Sequence, residues 1–220
     1  MARIARLVVP EFPHHVVQRG NRRQKVFFNE SDYSEYLRLL NKYSQRFKVD
    51  ILSYCLMPNH VHLIAVPRND GNLAQAIGET HRNYTRFINF REQWRGYLWQ
   101  GRFSSYVLDE RYLLTATRYI LLNPVKAKIV KKAWDYKWSS LRQHMMLENS
   151  FSVEDNLLKG LIRNWKDFLS SAVNEKDINL LRLHERTGRP IGSDLFIEKL
   201  ETLLNISLKK KKPGRKKKEK

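Results

Sequence analysis

The sequence predicts an α+β fold built on a ferredoxin-like antiparallel sheet with helices on one face, and three observations carry that expectation. Segments of period two and period 3.6 follow one another in the order β-α-β-β-α-β, with a further helix after the last strand. The second and third strand segments are separated only by Pro58-Asn59, a pair suited to the centre of a tight turn, so they form a hairpin. With 220 residues, 42% of them hydrophobic, the chain is long enough for one good core and an appendage.

The elements follow in order. HHVVQRGN alternates and is β-branched, which predicts a first strand ending at the turn pair Gly20-Asn21. SDYSEYLRLLNKYSQRF spaces Tyr33, Tyr36, Leu37, Leu40 and Tyr43 as one helical face, with Ser31 or Asp32 placed to cap it. VDILSYCLM and HVHLIAV are the hairpin strands. A second amphipathic helix is expected from Asn72 to about Glu92, and LWQGRFSSYVL carries strand residues broken by Gly101. DERYLLTATRYILLN is a third helix whose leading acids suit the helix dipole, and Pro124 discourages its continuation. The divisions expected are an α+β unit over residues 1–145, a helical region over 146–206 and a disordered lysine-rich tail over 207–220.

The charge is far from balanced. Lys and Arg number 41 against 22 Asp and Glu, a net +19. Residues 209–220 hold nine of those cations and one acid, a net +8, which leaves +11 on residues 1–208. A folded part that is basic in its own right points to a polyanion, most often nucleic acid. The single cysteine, Cys55, rules out an internal disulfide and fits a reducing compartment. No apolar run approaches the roughly 18 residues of a membrane span, and the N-terminal stretch lacks the apolar core of a secretory signal. A cytoplasmic, nucleoid-associated protein with no membrane partner is expected.

Within MPNHVHLIAV, His60 and His62 are two residues apart on a strand, so their imidazoles share a face. One such histidine is ordinarily a hydrogen-bonded core residue, but a same-face pair is also how metal sites are built. Tyr119 and Asn123 lie one helical turn apart on one face of the third helix. Alone, the tyrosine would be core and the asparagine a helix terminator.

Taken together, His60-Val61-His62 and YILLNPV from Tyr119 to Val125 resemble the REP-associated tyrosine transposases, within the HUH single-strand transposases. The resemblance covers roughly residues 12–145 and includes VVQRGNRRQ, LWQGRF and RYILLNPVKA. It implies that His60, His62 and Asn123 hold a divalent metal and that Tyr119 is the nucleophile. Attack by the phenol on a phosphodiester would leave a 5′-phosphotyrosine and a 3′-hydroxyl, a near-thermoneutral exchange that can be reversed to rejoin strands. The expected cofactor is Mg²⁺ or Mn²⁺, although imidazoles also accept Zn²⁺ or Ni²⁺. Because the ligands must be neutral, activity is expected to fall as pH drops through about 6.5.

The expected partner is single-stranded or hairpin DNA, and the resemblance implies a REP-like palindrome. Arg19, Asn21, Arg22 and Arg23 crowd one loop with no acid nearby in sequence, which suits phosphate contact. Arg102 is placed to do the same beside Tyr106. Arg189, in TGRP, sits in a short match to minor-groove arms, ahead of a helix that Ser193 can cap. Residues 146–206 are therefore read as a DNA-binding accessory or a helical lid, and the chain as a monomer or homodimer. Rival functions are a relaxase or rolling-circle initiator, a noncatalytic RNA or DNA binder with an RRM-like core, and a hairpin-binding regulator that no longer transposes.

Overall fold

In the computed structural model, residues 6–147, 156–171 and 174–208 are described. Among them, strands β1 (His14–Arg19), β2 (Val49–Met57), β3 (His60–Pro67) and β4 (Ser104–Val107) form one antiparallel sheet in the order β2-β3-β1-β4. Each of the two central strands leads to a strand two places away, β1 through helix α1 (Glu30–Arg46) and β3 through α2 (Asn72–Glu92). This is the expected ferredoxin-like arrangement, and β2 and β3 turn directly through Pro58-Asn59.

α1 and α2 pack together on one face. Tyr36 and Leu40 of α1 and Ile77, Tyr84 and Ile88 of α2 meet Val16, Tyr54, Leu56, Val61 and Leu63 of the sheet. The cap of α1 is Asn29 rather than Ser31 or Asp32. Its side chain accepts the Asp32 N–H at 3.1 Å, while the Asp32 carboxylate accepts the Asn29 N–H at 3.3 Å. Asp32 is thus the answering partner of a capping box, and it also pairs with Arg91 at the end of α2.

The opposite face carries α3 (Glu110–Leu121), capped by Asp109. Leu113, Ala116, Tyr119 and Ile120 cover Cys55, Met57, Ile64, Val66 and Tyr106. α3 stops one residue before a separate turn, α4 (Asn123–Lys126), whose first turn holds Pro124, where a missing N–H costs nothing. After α5 (Leu141–His144), helices α6 (Asn156–Leu161), α7 (Trp165–Ser170) and α8 (Glu175–Thr187) add Leu158, Trp165, Leu169, Ile178 and Leu181 to this same core. Helices α6, α7 and α8 therefore share the apolar interior of residues 6–147.

α9 (Asp194–Leu204) is capped by Ser193, whose hydroxyl accepts the Phe196 N–H at 3.2 Å, as expected. Leu208 is buried against Val9, Val107 and Leu200, so folded structure runs past the expected tail boundary at 207. The expectation of disorder over 209–220 lies outside the described residues. Among the described residues no helix is long and apolar enough to cross a membrane.

Candidate active site

Register puts the site together. β1 pairs with β3 so that Val17 lies opposite His62 and Arg19 opposite His60, while β4 places Tyr106 opposite His15. Opposed residues share a face. His15, Arg19, His60, His62 and Tyr106 therefore all point to the α3 side of the sheet.

Both histidines of the pair are held by Nδ1. In His60, Nδ1 lies 2.6 Å from Asn59 Oδ1. In His62, Nδ1 lies 3.0 Å from Nε2 of His15, whose own Nδ1 is 2.6 Å from the Tyr106 hydroxyl. Each ring thus keeps Nε2 for another partner. Burial, and then the Arg19 cation, push His60 down to about 3; burial holds His62 well below the ordinary histidine value. Burial thus favours the neutral form of both rings, the form in which an imidazole can ligate a metal.

α3 brings the phenol. The ring of Tyr119 stands edge-on to His62, centroids 5.9 Å apart at 85°, and 6.5 Å from His15 at 76°. Asn123 follows one turn later, and its Nδ2 is buried with no hydrogen-bond partner. A half-turn of that carboxamide exchanges nitrogen and oxygen, so the group can present an acceptor from the same place. Lys126 Nζ lies 5.3 Å from the centre of the Tyr119 ring.

The cations divide into three groups. Arg19 and Arg102 line one cavity of about 350 Å³ together with Gln100, Ser104, Glu185 and Arg186. Glu185, from α8, reaches to 3.8 Å of Arg19, so the arginine that has no acid near it in sequence has one in space. Arg22 and Arg23 are exposed on a left-handed turn (φ 51° and 61°) beside half-buried Asn21. Arg189 is committed elsewhere, its guanidinium donating to the Leu208 carbonyl.

The arginine loop is fastened to the hairpin that carries His60. Gly20 N–H donates to Asn59 O and Val26 N–H to Pro58 O, both at 2.8 Å, and Asn59 Nδ2 reaches Arg23 O at 3.3 Å. A Cβ on Gly20 would fall 2.3 Å from Gln24 O, so only glycine fits this approach.

Of the residues the sequence singled out, the structure sets His60 beside His62 and His62 beside Tyr119, with Asn123 one turn after Tyr119. Sequence reasoning passed over His15, Lys126, Glu185 and Arg186, and it read Tyr106 only as a neighbour of Arg102. Strand alternation put His15 on one of two faces, but the register that makes it a partner of His62 is not written locally.

A sequence model of the family described as "Transposase IS200 like" matches residues 8–123, from just before β1 to Asn123. The chain belongs to the IS200-like transposase family. Among solved structures, this transposase-family chain is similar to a REP-associated tyrosine transposase bound to a REP hairpin, with a TM-score of 0.58 and 20% identity over 70% of this chain and 93% of that one. That likeness establishes a shared fold. A protein described as a transposase, from Deinococcus radiodurans R1, overlaps less closely, with a TM-score of 0.38 and 20% identity over 54% and 95%. No curated protein sequence matches the chain. Membership of the family assigns this protein a transposase-like function on DNA.

Proposed function

We propose that this transposase is a metal-dependent single-strand DNA transesterase that cleaves and rejoins REP-like hairpins through a 5′-phosphotyrosine on Tyr119. The observation that carries this reading is the approach of Tyr119 to His62, with Asn123 one turn away and both imidazoles on the same face of the sheet. A relative of this fold bound to a REP hairpin supports the choice of DNA form.

His60, His62 and Asn123 would hold Mg²⁺ or Mn²⁺. The donor set suits a divalent ion, though no one metal above others: two rings are anchored by Nδ1, and a buried carboxamide lacks a partner. Among the described residues no three His, Cys, Asp or Glu side chains gather as a competing site. The bound ion would draw charge from a nonbridging phosphate oxygen, lowering the barrier to an incoming nucleophile.

Tyr119 Oη would attack phosphorus as its proton leaves to solvent or a nearby base. The new P–Oη bond replaces the P–O3′ bond, and the departing oxygen takes a proton to become a 3′-hydroxyl. The ammonium of Lys126, beside the ring, would offset negative charge at the reacting phosphate. Because one phosphate ester replaces another, a second 3′-hydroxyl can reverse the step and join a new strand.

Arg19 and Arg102 in the cavity, and Asn21, Arg22 and Arg23 on the loop, would contact DNA phosphates. Arg189 is left out, since its guanidinium already serves the C-terminal turn. Residues 146–206 would extend the DNA-binding surface, and the lysine tail would raise affinity uniformly.

The test is a fluorescent single-stranded palindrome incubated with Mn²⁺, then denatured and resolved from free DNA. The wild-type chain is expected to carry a covalent adduct. Tyr119→Phe binds the hairpin as tightly and forms none, and His62→Ala loses the adduct. An adduct that survives Tyr119→Phe places the nucleophile elsewhere, and binding without any wild-type adduct supports a noncatalytic regulator.

A further inference from the structure

We propose that His15 is a positioning residue that sets the ring tautomer of His62, so that His62 offers its Nε2 lone pair to the metal. This rests on the reading of His62 as a ligand. His15 is 1% exposed, its Nε2 is 3.0 Å from His62 Nδ1, and the two rings are stacked 5.2 Å apart at 24°. A neutral imidazole has one N–H and one lone pair, so of the two facing nitrogens one must carry hydrogen and the other must not.

Only two proton arrangements satisfy the chain. In the first, His62 Nδ1–H donates to His15 Nε2, and His15 Nδ1–H donates to the Tyr106 oxygen 2.6 Å away. His62 Nε2 is then bare. In the second, the Tyr106 hydroxyl donates to His15 Nδ1, His15 Nε2–H donates to His62 Nδ1, and His62 Nε2 carries a proton that blocks coordination. Ligation is compatible with the first alone.

His60 has no such choice. Asn59 Oδ1, an acceptor only, faces its Nδ1 at 2.6 Å, and Asn59 Nδ2 is turned away to Arg23 O. One ligand is therefore preset by an amide, while the other is set by an imidazole that can face either way. A ligating histidine ordinarily leans on a carboxylate or carbonyl, which admits only one direction. With His15 in that place, taking up metal must also turn the Tyr106 hydroxyl proton away from His15.

The experiment measures Mn²⁺ affinity of the full-length protein without DNA, by calorimetry, alongside thermal unfolding. His15→Leu removes the acceptor, and affinity is expected to fall by about 10- to 100-fold. His15→Gln places an amide oxygen near the same point and is expected to stay within a few-fold of wild type. Tyr106→Phe leaves His62 and His15 in place but strips the end of the chain, and it is expected to weaken binding by a few-fold even where His15→Leu fails to fold. Nitrogen-15 histidine spectra report the tautomer directly: His62 Nδ1 should carry hydrogen in the metal-loaded wild type and in His15→Gln. A folded His15→Leu with wild-type affinity overturns the proposal, as does equal loss in the Leu and Gln variants. Loss in His62→Ala with no effect at position 15 sinks only the role of His15. Wild-type protein that binds no Mn²⁺ sinks the ligand reading and this proposal together.

Discussion

His14 and His15 are neighbours on β1 that point to opposite faces of the sheet, and the contrast between them is the contrast between the two faces. His14 spends both ring nitrogens on backbone: it accepts the Val9 N–H at 3.1 Å and donates to Phe12 O at 2.8 Å. On its side, α1 and α2 close an apolar layer in which polar atoms serve the fold, as when Tyr84 donates to Val26 O at 2.7 Å. On the other side, His60 and His62 are each tied by one nitrogen only, and Asn123 keeps a buried amide without a partner. Burial does not separate the two kinds of histidine, since His14 and His62 are both within 1% of full burial. Between these two rings, the number of nitrogens already bonded does.

The sharpest break of that contrast makes one chemical change on each face. Tyr119→Phe is expected to abolish the covalent DNA adduct while shifting unfolding stability in urea by less than about 1 kcal/mol. Tyr84→Phe, which strands the buried Val26 carbonyl, is expected to cost about 1–3 kcal/mol in the same titration and to form adduct normally while folded. If both changes altered stability and left the adduct, the two faces would not differ in kind.

Acid is expected to act on the α1–α2 face through the fold. Burial pushes His14 down to about 4 and His81 to about 3, each from an ordinary value near 6.5. Above 6.5 neither state is protonated and these groups do not oppose folding. As pH falls below 6.5 the unfolded chain takes up protons that the folded chain refuses, so stability declines by up to about 1.4 kcal/mol per pH unit for each histidine. Unfolding temperatures should drop steadily between pH 6.5 and 4, whereas Mn²⁺ affinity of the folded protein stays nearly level from pH 7 to 5.5. Affinity that falls steeply across that range would mean the ligand rings are wetter than their burial indicates.

The smallest expected effect concerns Lys126. A partly exposed cation beside the reacting phosphate is worth up to about 1 kcal/mol, so Lys126→Met should slow adduct formation by up to about fivefold at saturating metal. No change in rate would leave Tyr119 without help from that side.

Much of this was legible in one dimension. Alternation located β2 to the residue, periodicity found α2 from Asn72 to Glu92, and the hairpin dipeptide was plain. His60 and His62 were legible because both belong to one strand, and Tyr119 and Asn123 because they lie one turn apart. Relations across the fold were not. His15 lies 47 residues from His62, and Glu185 approaches Arg19 from a helix near the other end of the chain. The cap of α1 was missed for a local reason: Asp32 has the chemistry of a cap, but reciprocal bonding with Asn29 makes it the third residue of the helix.

The junction at Gly20 has one more consequence. With the Arg22–Arg23 loop clasped to the turn beside His60 through main-chain bonds, neither can travel without the other. A strand that seats its backbone on those two arginines would thereby be indexed against the imidazoles, and the choice of which linkage is cut would become a count of nucleotides from the loop. Alanine at position 20 should spoil that gauge, scattering the cut positions before it weakens the grip.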